Sequence, residues 1–261
     1  MSVKGFAGDP FSFMAGARQA GMAHVCVMNS DLWSSFHNQA GLAFNKSLSF
    51  GFNYENRFSI KELGTRSAAI TIPAGRASFG AVYSHFGYSD FRRQMVGLAC
   101  GMPLSDIIAA GVQIDYFSER TSGEYNNNQM LTCEAGIVIS PSENLRLGMH
   151  VFNPVPNSIR KSDMPTALRA GAGVILSKEL FAGVETEMST GHKLVIRTGF
   201  EYAAAGKLMM RGGFSTENNS FCFGAGYRAG PSFIDFAFTT HERLGITSSV
   251  SIIFILQNNN K

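Results

Sequence analysis

The charged residues of LVIRTGFEYAAAGKLMMRGGF, residues 194–214, have the spacing that points most directly to a chemical role. Arg197 and Glu201 share one parity of an alternating segment, and Arg211 holds the same parity in the next segment. Side chains of one parity lie on one face of a strand, so these charges should meet on one face of a hairpin. Ion pairing is the chemistry that such a face supports. With Glu185 from the preceding segment, we predict a network in which Glu185 lies opposite Arg197, Arg197 lies near Arg211, and Glu201 points toward the turn.

Motifs for catalysis or metal binding are absent from the sequence. It contains no GxSxG, HExxH or Walker loop, and its four cysteines show no CxxC or Cys/His spacing. The six histidines are scattered along the chain. We therefore predict a protein without catalytic residues, metal ion or cofactor, which is not an enzyme.

The composition indicates a membrane environment. Charged residues make up 16% of the 261 residues, whereas soluble domains contain about 25%. The sequence has no run of about 18 apolar residues that would form a transmembrane helix, so the chain would enter a membrane only as a barrel. The net charge of +3 is spread without a basic block, which argues against nucleic acid as a partner.

Alternating segments separated by turn residues fill the chain from residue 45 to residue 256. This pattern is typical of an all-β transmembrane antiparallel barrel with its lipid face on one parity. About fourteen strands are predicted, and the weak alternation of ASFGAVYSHFGY leaves twelve as an alternative. A soluble β-sandwich also alternates, but it does not sort its connections by length. The segments lie near residues 45–56, 65–73, 77–88, 91–102, 106–118, 128–140, 144–153, 166–176, 179–188, 193–202, 206–215, 219–228, 231–240 and 245–256.

The connections alternate between very short and longer polar ones. PAGR, PLS, PSE, SK, AAA and AG alternate with longer stretches such as YENRFSIKELG and NPVPNSIRKSDMP. Bacterial outer-membrane barrels have short periplasmic turns and longer outer loops. We therefore predict an outer-membrane location, with outer-membrane lipid around the barrel and both the N-terminus and the C-terminal tail, residues 257–261, in the periplasm. No signal peptide is visible, so an exported barrel would be either a mature chain or one whose start lies upstream.

Residues 1–44 do not alternate and precede the barrel of residues 45–256. We predict that they form a periplasmic hatch, a segment that closes the lumen, because a fourteen-strand barrel encloses more space than its own side chains fill. Trp33 and Phe36 should be packed. Asn38 to Gly41 should form a turn into the first strand, since Asn bonds its own backbone and Gly accepts positive φ.

Short motifs resemble the PorV/PorQ group of FadL-like outer-membrane proteins of Bacteroidota. GARQAGM and DLWSSFHNQAGLA are similar to the group's amino-terminal signature, with Gln39 in place of a proline, and MPTALRAGAGV, LVIRTGFEY, LMMRGGF and LGITSSVSIIF are similar to its later strands. The resemblance covers nearly the whole chain. It implies a fourteen-strand barrel with a hatch that works with type IX secretion by binding other proteins.

Two functions remain open from the sequence. The first is a non-enzymatic subunit of a protein secretion and surface-anchoring complex of the type IX kind, or an accessory barrel of another outer-membrane assembly machine. In it, the loop residues Asn157, Arg160, Lys161 and Asp163 are candidates for contact with other subunits. The alternative is a FadL-like channel for hydrophobic small molecules, with a lipid or detergent molecule bound inside the barrel.

Overall fold

A computed structural model describes residues 13–122, 128–155, 164–204 and 206–256, and its main feature is a closed antiparallel barrel. The barrel has fourteen strands, which confirms the larger of the two predicted numbers. They are β1 Leu48–Asn56, β2 Gly64–Ala74, β3 Ala77–Gly87, β4 Phe91–Pro103, β5 Ile108–Thr121, β6 Asn128–Ser142, β7 Leu145–Phe152, β8 Ala167–Ile175, β9 Leu180–Ser189, β10 Val195–Ala204, β11 Leu208–Ser215, β12 Ser220–Ala229, β13 Ser232–His241 and β14 Gly245–Leu256.

Each strand pairs with its neighbour in sequence, and β1 pairs with β14 to close the wall. The closing seam runs from Leu48 opposite Leu256 to Asn56 opposite Ser248. The poorly alternating third segment is a full strand because β3 pairs along its length with both β2 and β4. Two paired neighbours fix the backbone of a strand even where its own side chains alternate weakly.

The barrel has two unlike ends. At one, which we name the short-turn end, β2–β3, β10–β11 and β12–β13 are joined by tight turns, in which Gly75, Gly206 and Gly230 have φ values of 63°, 71° and 62°. Glycine adopts positive φ without steric cost, so it suits these turns. At the other, which we name the long-connection end, the strands are joined by longer segments such as the 3-10 turns Arg57–Ser59, Lys61–Leu63 and Glu217–Asn219.

The wall has an apolar outer face and a polar inner face. On β11 to β13, outward-pointing Met210, Phe223 and Phe238 are 52–58% exposed, while inward-pointing Arg211 and Asp235 are 5% and 2% exposed. This alternation is that of a transmembrane barrel, where an outward Arg at the bilayer midplane costs about 2–4 kcal/mol. Among the described residues, no helix has the length and apolar character needed to span a membrane.

The described part of the hatch, residues 13–44, fills the lumen. It contains the short helices α1 Ala17–Gly21 and α2 Ser34–His37 and a 3-10 helix, Gln39–Phe44. Glycines in the wall let its backbone approach closely. A Cβ on Gly111 would lie 2.3 Å from the Ala40 nitrogen, and one on Gly213 would lie 2.7 Å from the Met22 carbonyl carbon. Glycine at these positions therefore makes room for the hatch.

Candidate functional site in the barrel lumen

Charged side chains of the wall hold the hatch at three places, each centred on a carboxylate. The first is Glu201 of β10, which accepts hydrogen bonds from Arg18 Nε at 2.8 Å and from Arg211 Nε at 2.6 Å. Arg18 of α1 also donates to Asp31 at 2.8 Å, and Arg211 donates to Asp235 at 2.7 Å. The hatch and three strands thus share one ion-pair network.

The second anchor is Glu185 of β9, which is fully buried. One of its oxygens accepts the backbone N–H groups of Cys26 and Val27 at 2.8 and 2.9 Å, and the other accepts Arg169 Nε at 2.7 Å. A buried carboxylate needs such donors to offset the loss of hydration. Glu185 therefore fixes the middle of the hatch to β8 and β9.

The third anchor is Glu134 of β6, which lies against the last part of the hatch. Gln39 Nε2 donates to Glu134 Oε2 at 2.6 Å, and His150 Nε2 lies 2.9 Å from the same oxygen. Next to it, the Asn38 amide donates to Val27 O at 2.6 Å, within the hatch, and to the carbonyls of Ile137 and Met149, both at 3.2 Å. Asn38 and Gln39 therefore join the hatch to β6 and β7.

The structure brings together the residues of the predicted charge network in a different pairing. Glu185 is the register partner of Arg197, but its ionic partner is Arg169. Arg197 instead donates to Glu187 at 2.8 Å and to Glu217 at 3.0 Å. The expected closeness of Arg197 to Arg211 is wrong, because their partners in the β10–β11 register are Ser215 and Glu201. Each arginine has its own acidic neighbours, as a buried charge requires.

Sequence analysis missed the hatch members of this network. Arg18 and Asp31 lie in a segment without periodicity, so no pattern assigned their faces. The strand members Arg169, Glu187 and Asp235 occupy the same interior parity as the predicted residues. Strand parity could therefore have identified the network residues of the wall, whereas the hatch has no periodic pattern from which its members could be predicted.

The hatch residues singled out from the sequence are packed within the lumen. Trp33 is fully buried and Phe36 nearly so, with ring centroids 6.1 Å apart. Asn38 precedes the 3-10 helix and its side chain accepts a hydrogen bond from the Ala40 N–H at 3.1 Å. A Cβ on Gly41 would lie 2.3 Å from the Asn29 carbonyl oxygen, so the hatch folds tightly on itself there.

An apolar column crosses the lumen from one end to the other. At the long-connection end it contains Phe13 and Phe117, whose ring centroids are 5.9 Å apart. Trp33 and Phe36 form its middle. Its contiguous members are Phe13, Ala15, Leu32, Trp33, Phe36, Ala69, Val82, Met95, Phe117, Met130, Phe152, Met164, Phe233, Ile253 and Ile255.

A cavity lies at each end of this column. The upper cavity, of about 40 Å³, lies toward the long-connection end. The rings of Phe13, Phe36 and Phe152 form one of its sides, and the polar side chains of Gln113 and Glu134 form another. The lower cavity, of about 420 Å³, lies at the short-turn end. Column residues form one of its sides and the first anchor forms the other: Leu32, Phe233, Ile253 and Ile255 against Arg18, Asp31, Glu201, Arg211 and Asp235.

Two histidines of the hatch, the buried His37 and the partly buried His24, are held in the neutral form. Burial, with the nearby charge of Arg169, lowers the pKa of His37 to about 3, and its Nε2 donates to the Ala15 carbonyl at 2.7 Å. Burial beside His37 also lowers the pKa of His24 well below its ordinary value. The packed hatch therefore binds fewer protons in mild acid than a released hatch would.

The predicted partner loop falls outside the described residues: Asn157, Arg160, Lys161 and Asp163 lie between the described ranges that end at 155 and begin at 164. Its two described flanks are bonded to each other, since the Asn153 amide donates to the Met164 carbonyl at 3.0 Å. Within the described ranges, no group of three or more His, Cys, Asp and Glu side chains is arranged to hold a metal ion.

Comparisons with known proteins identify the fold. No family model and no curated protein matches the chain. Solved structures that match include a FadL homologue of Pseudomonas aeruginosa, at 13% identity and a TM-score of 0.67, covering 92% of this chain and 98% of that one. The toluene transporter TbuX of Ralstonia pickettii matches at 13% identity and a TM-score of 0.66, covering 92% of this chain and 97% of that one. The toluene transporter TodX of P. putida matches at 9% identity and a TM-score of 0.69, covering 94% of this chain and 99% of that one.

Proposed function

We propose that this protein is a non-enzymatic outer-membrane channel that passes hydrophobic small molecules along the apolar column. The observation that carries the proposal is the continuity of the column, which joins the upper cavity to the lower cavity through Trp33 and Phe36. Apolar side chains solvate an apolar molecule better than the ion pairs of the opposite wall do. The FadL-type fold, shared with two toluene transporters, supports the same function.

Passage requires a movement of the hatch, because the two cavities are separated by buried side chains. Trp33 is fully buried between them. The three anchors hold the hatch against β6 to β13, whereas the column runs between the hatch and side chains of β2 to β7, β13 and β14. We infer that the hatch stays anchored on its charged side and shifts on its apolar side, where dispersion contacts are individually weak.

Uptake by whole cells tests the channel. Cells that lack FadL-type channels and express this protein should take up radiolabelled toluene faster than cells with an empty vector. Met95→Lys should reduce the initial rate, because Met95 lies in the column beside the upper cavity and the ammonium would block an apolar path.

Met209→Lys is the matched control. Met209 faces the lower cavity but lies outside the column, on the charged side of the lumen. The same chemical change there should leave uptake near the level of the unmodified protein. Equal loss in both variants, or no uptake above the vector in any cell, would refute the channel.

A second candidate function is a subunit of an outer-membrane protein-secretion complex. The observation that favours it is the closed lumen, in which the described hatch is bonded to the wall at three carboxylates. The resemblance of the hatch and strand motifs to the PorV/PorQ group supports the same role. Gentle detergent extraction from native membranes, followed by crosslinking, tests it. A stoichiometric partner supports the subunit, and a chain that migrates alone contradicts it.

A further inference from the structure

The upper cavity borders a cluster of hydrogen-bond acceptors that lack donors. Asp115 Oδ2, Gln113 Oε1 and Gln39 Oε1 have no hydrogen-bond partner in the described structure, and all three side chains are at most 1% exposed. Gln113 and Glu134 line the cavity directly. Buried acceptors without donors are costly, so such a cluster indicates a missing donor group.

The positions of the nitrogens show why the acceptors remain unpaired. Gln113 uses its Nε2 on Asp115 Oδ1 at 2.7 Å, and Gln39 uses its Nε2 on Glu134 Oε2 at 2.6 Å. The amide oxygens are thereby left over. The carboxyl groups of Asp115 and Glu134 also face each other within hydrogen-bonding range. Two carboxyl groups this close do not both stay ionised without a donor between them, so they either share a proton or accept a donor group from a ligand.

The charge around the cluster is unbalanced. In the described ranges, neither Asp115 nor Glu134 forms an ion pair with Arg or Lys, and Glu134 meets only the His150 ring. The other charged groups on the cavity, Arg169 and Glu187, are neutralised elsewhere: Arg169 pairs with Glu185, and Glu187 pairs with Arg197. The side of the cavity at Asp115 and Glu134 therefore attracts a cation.

The remaining walls are apolar and aromatic. Met95, Phe36 and Phe152 line the cavity, and the Phe13 ring lies against Phe117 and closes it. In this structure the hatch ring of Phe13 stands where the ring of a small ligand would stand. Aromatic walls accept a second ring, and they also accept an ammonium group over their faces.

Resting on the proposed channel, we propose that the upper cavity selects small apolar amines, with the ring or chain in place of Phe13 and the ammonium between Asp115, Glu134 and the Gln113 oxygen. The acceptor cluster rejects carboxylates, because a further carboxylate would bring another negative charge and another acceptor to a pair of carboxyl groups that has no Arg or Lys partner in the described ranges. A hydrocarbon has no ammonium group, so it passes through the column without binding to the acceptor cluster.

The single tryptophan of the chain provides the measurement. Trp33 packs on Phe36, whose ring lines the cavity, so a bound ligand should change its fluorescence. The full-length protein in detergent is titrated at neutral pH with benzylamine, toluene and benzoate. We expect benzylamine to bind about tenfold more tightly than toluene, since hydrogen bonds to charged groups contribute about that factor, and benzoate to bind more weakly than both.

Asp115→Asn keeps the shape of the side chain and replaces one of the two carboxyl groups with a neutral amide. It should weaken benzylamine binding about tenfold and leave toluene binding unchanged. Glu217→Gln is the control, because Glu217 lies in the 3-10 turn that follows β11, pairs with Arg197 and does not line the cavity. Benzylamine binding no tighter than toluene binding, or an equal effect of Asp115→Asn on both ligands, overturns the inference. The ligand series on the unmodified protein decides the question even if the variant misfolds.

The failure of this inference differs from the failure of the channel. If cells take up toluene but the titration shows no preference for benzylamine, the amine selectivity is refuted and the channel is supported. If the purified protein binds benzylamine tightly but cells take up no toluene, the channel is refuted and the acceptor site is supported.

Discussion

At the scale of single residues, Met95 reports on the charge that the upper cavity tolerates. Met95 is 3% exposed and lines that cavity. Met95→Lys should keep the melting temperature within a few degrees of the unmodified value, because the new ammonium can reach Asp115 and Glu134. Met95→Glu should lower it clearly, because it adds a third carboxylate and costs about 3 kcal/mol or more. Thermal denaturation of both variants in one detergent gives the comparison. Equal melting temperatures would contradict the predicted negative site.

Glu185 is the residue on which the middle of the hatch depends. Glu185→Ala should free the N–H groups of Cys26 and Val27 and leave the Arg169 charge without its main partner. Breaking a buried pair in this way costs about 3–5 kcal/mol. Protease cleavage within residues 13–44 should rise by more than about tenfold, because each 1.4 kcal/mol is about a factor of ten.

Glu217→Ala provides the comparison for the anchor. It also removes a carboxylate from an arginine, Arg197, but its side chain is 35% exposed and bonds no hatch backbone. Cleavage of the hatch in this variant should stay near that of the unmodified protein. A hatch as resistant in Glu185→Ala as in Glu217→Ala would show that the anchor is not needed.

At the scale of elements, Gly111 of β5 decides how closely the hatch can lie against the wall. Gly111→Ala would place a Cβ 2.3 Å from backbone atoms of Gln39 and Ala40, so the 3-10 helix must move away from the wall, toward the barrel axis. Overpacking of this kind costs about 1–3 kcal/mol. Gly64→Ala should cost much less, because Gly64 has φ of −77° and its nearest neighbours are 3.2 Å or more away. Melting temperatures and hatch cleavage rates test the pair.

The strands were more predictable than the hatch, for a physical reason. A strand between water-filled or protein-filled lumen and lipid must alternate, so parity alone placed Arg197 and Arg211 inside the barrel. Which acid each arginine meets depends on side-chain length and on the hatch, and parity carries no information about either. Glu201 points into the lumen from β10 as Glu185 does from β9. Parity did not show that Glu201 binds Arg18 of the hatch in addition to Arg211 of the wall.

The hatch itself follows no period because it has no single solvent-facing side. Nearly all its described residues from Ala15 to Leu42 are buried, whether apolar or polar. Hydrophobic periodicity arises from a contrast between a wet side and a dry side, and this segment lacks that contrast. Its contacts are set by the glycines and carboxylates of the wall around it.

At the scale of the whole molecule, acid should loosen the hatch through its buried histidines. The pKa of His37 is about 3 when packed and about 6.5 when released. A lowered pKa in the folded state makes packing most favourable above pH about 6.5 and less favourable as the pH falls toward 3. At pH 4 the loss from His37 alone is of the order of 3 kcal/mol. Trp33 fluorescence and hatch cleavage between pH 7.5 and pH 4 measure this effect.

His37→Gln separates this titration from that of the carboxylates. Glutamine does not ionise and can still donate to the Ala15 carbonyl that His37 Nε2 contacts. The variant should retain its hatch packing to lower pH than the unmodified protein. Identical pH profiles would assign the acid response to other groups.

The hydrogen bond from the Ala17 N–H to Ser251 Oγ, at 3.1 Å, joins residues 234 positions apart in the chain. The same last strand supplies the seam with β1. A ribosome or an insertion machine that releases the chain before residue 245 therefore yields a product that has neither a sealed wall nor a seat for its first helix. Such contacts of high sequence separation form late, after the whole chain is available. Closure of the wall and packing of the hatch therefore both depend on the last strand, and copies truncated before it should be cleaved by added protease much faster than the full chain.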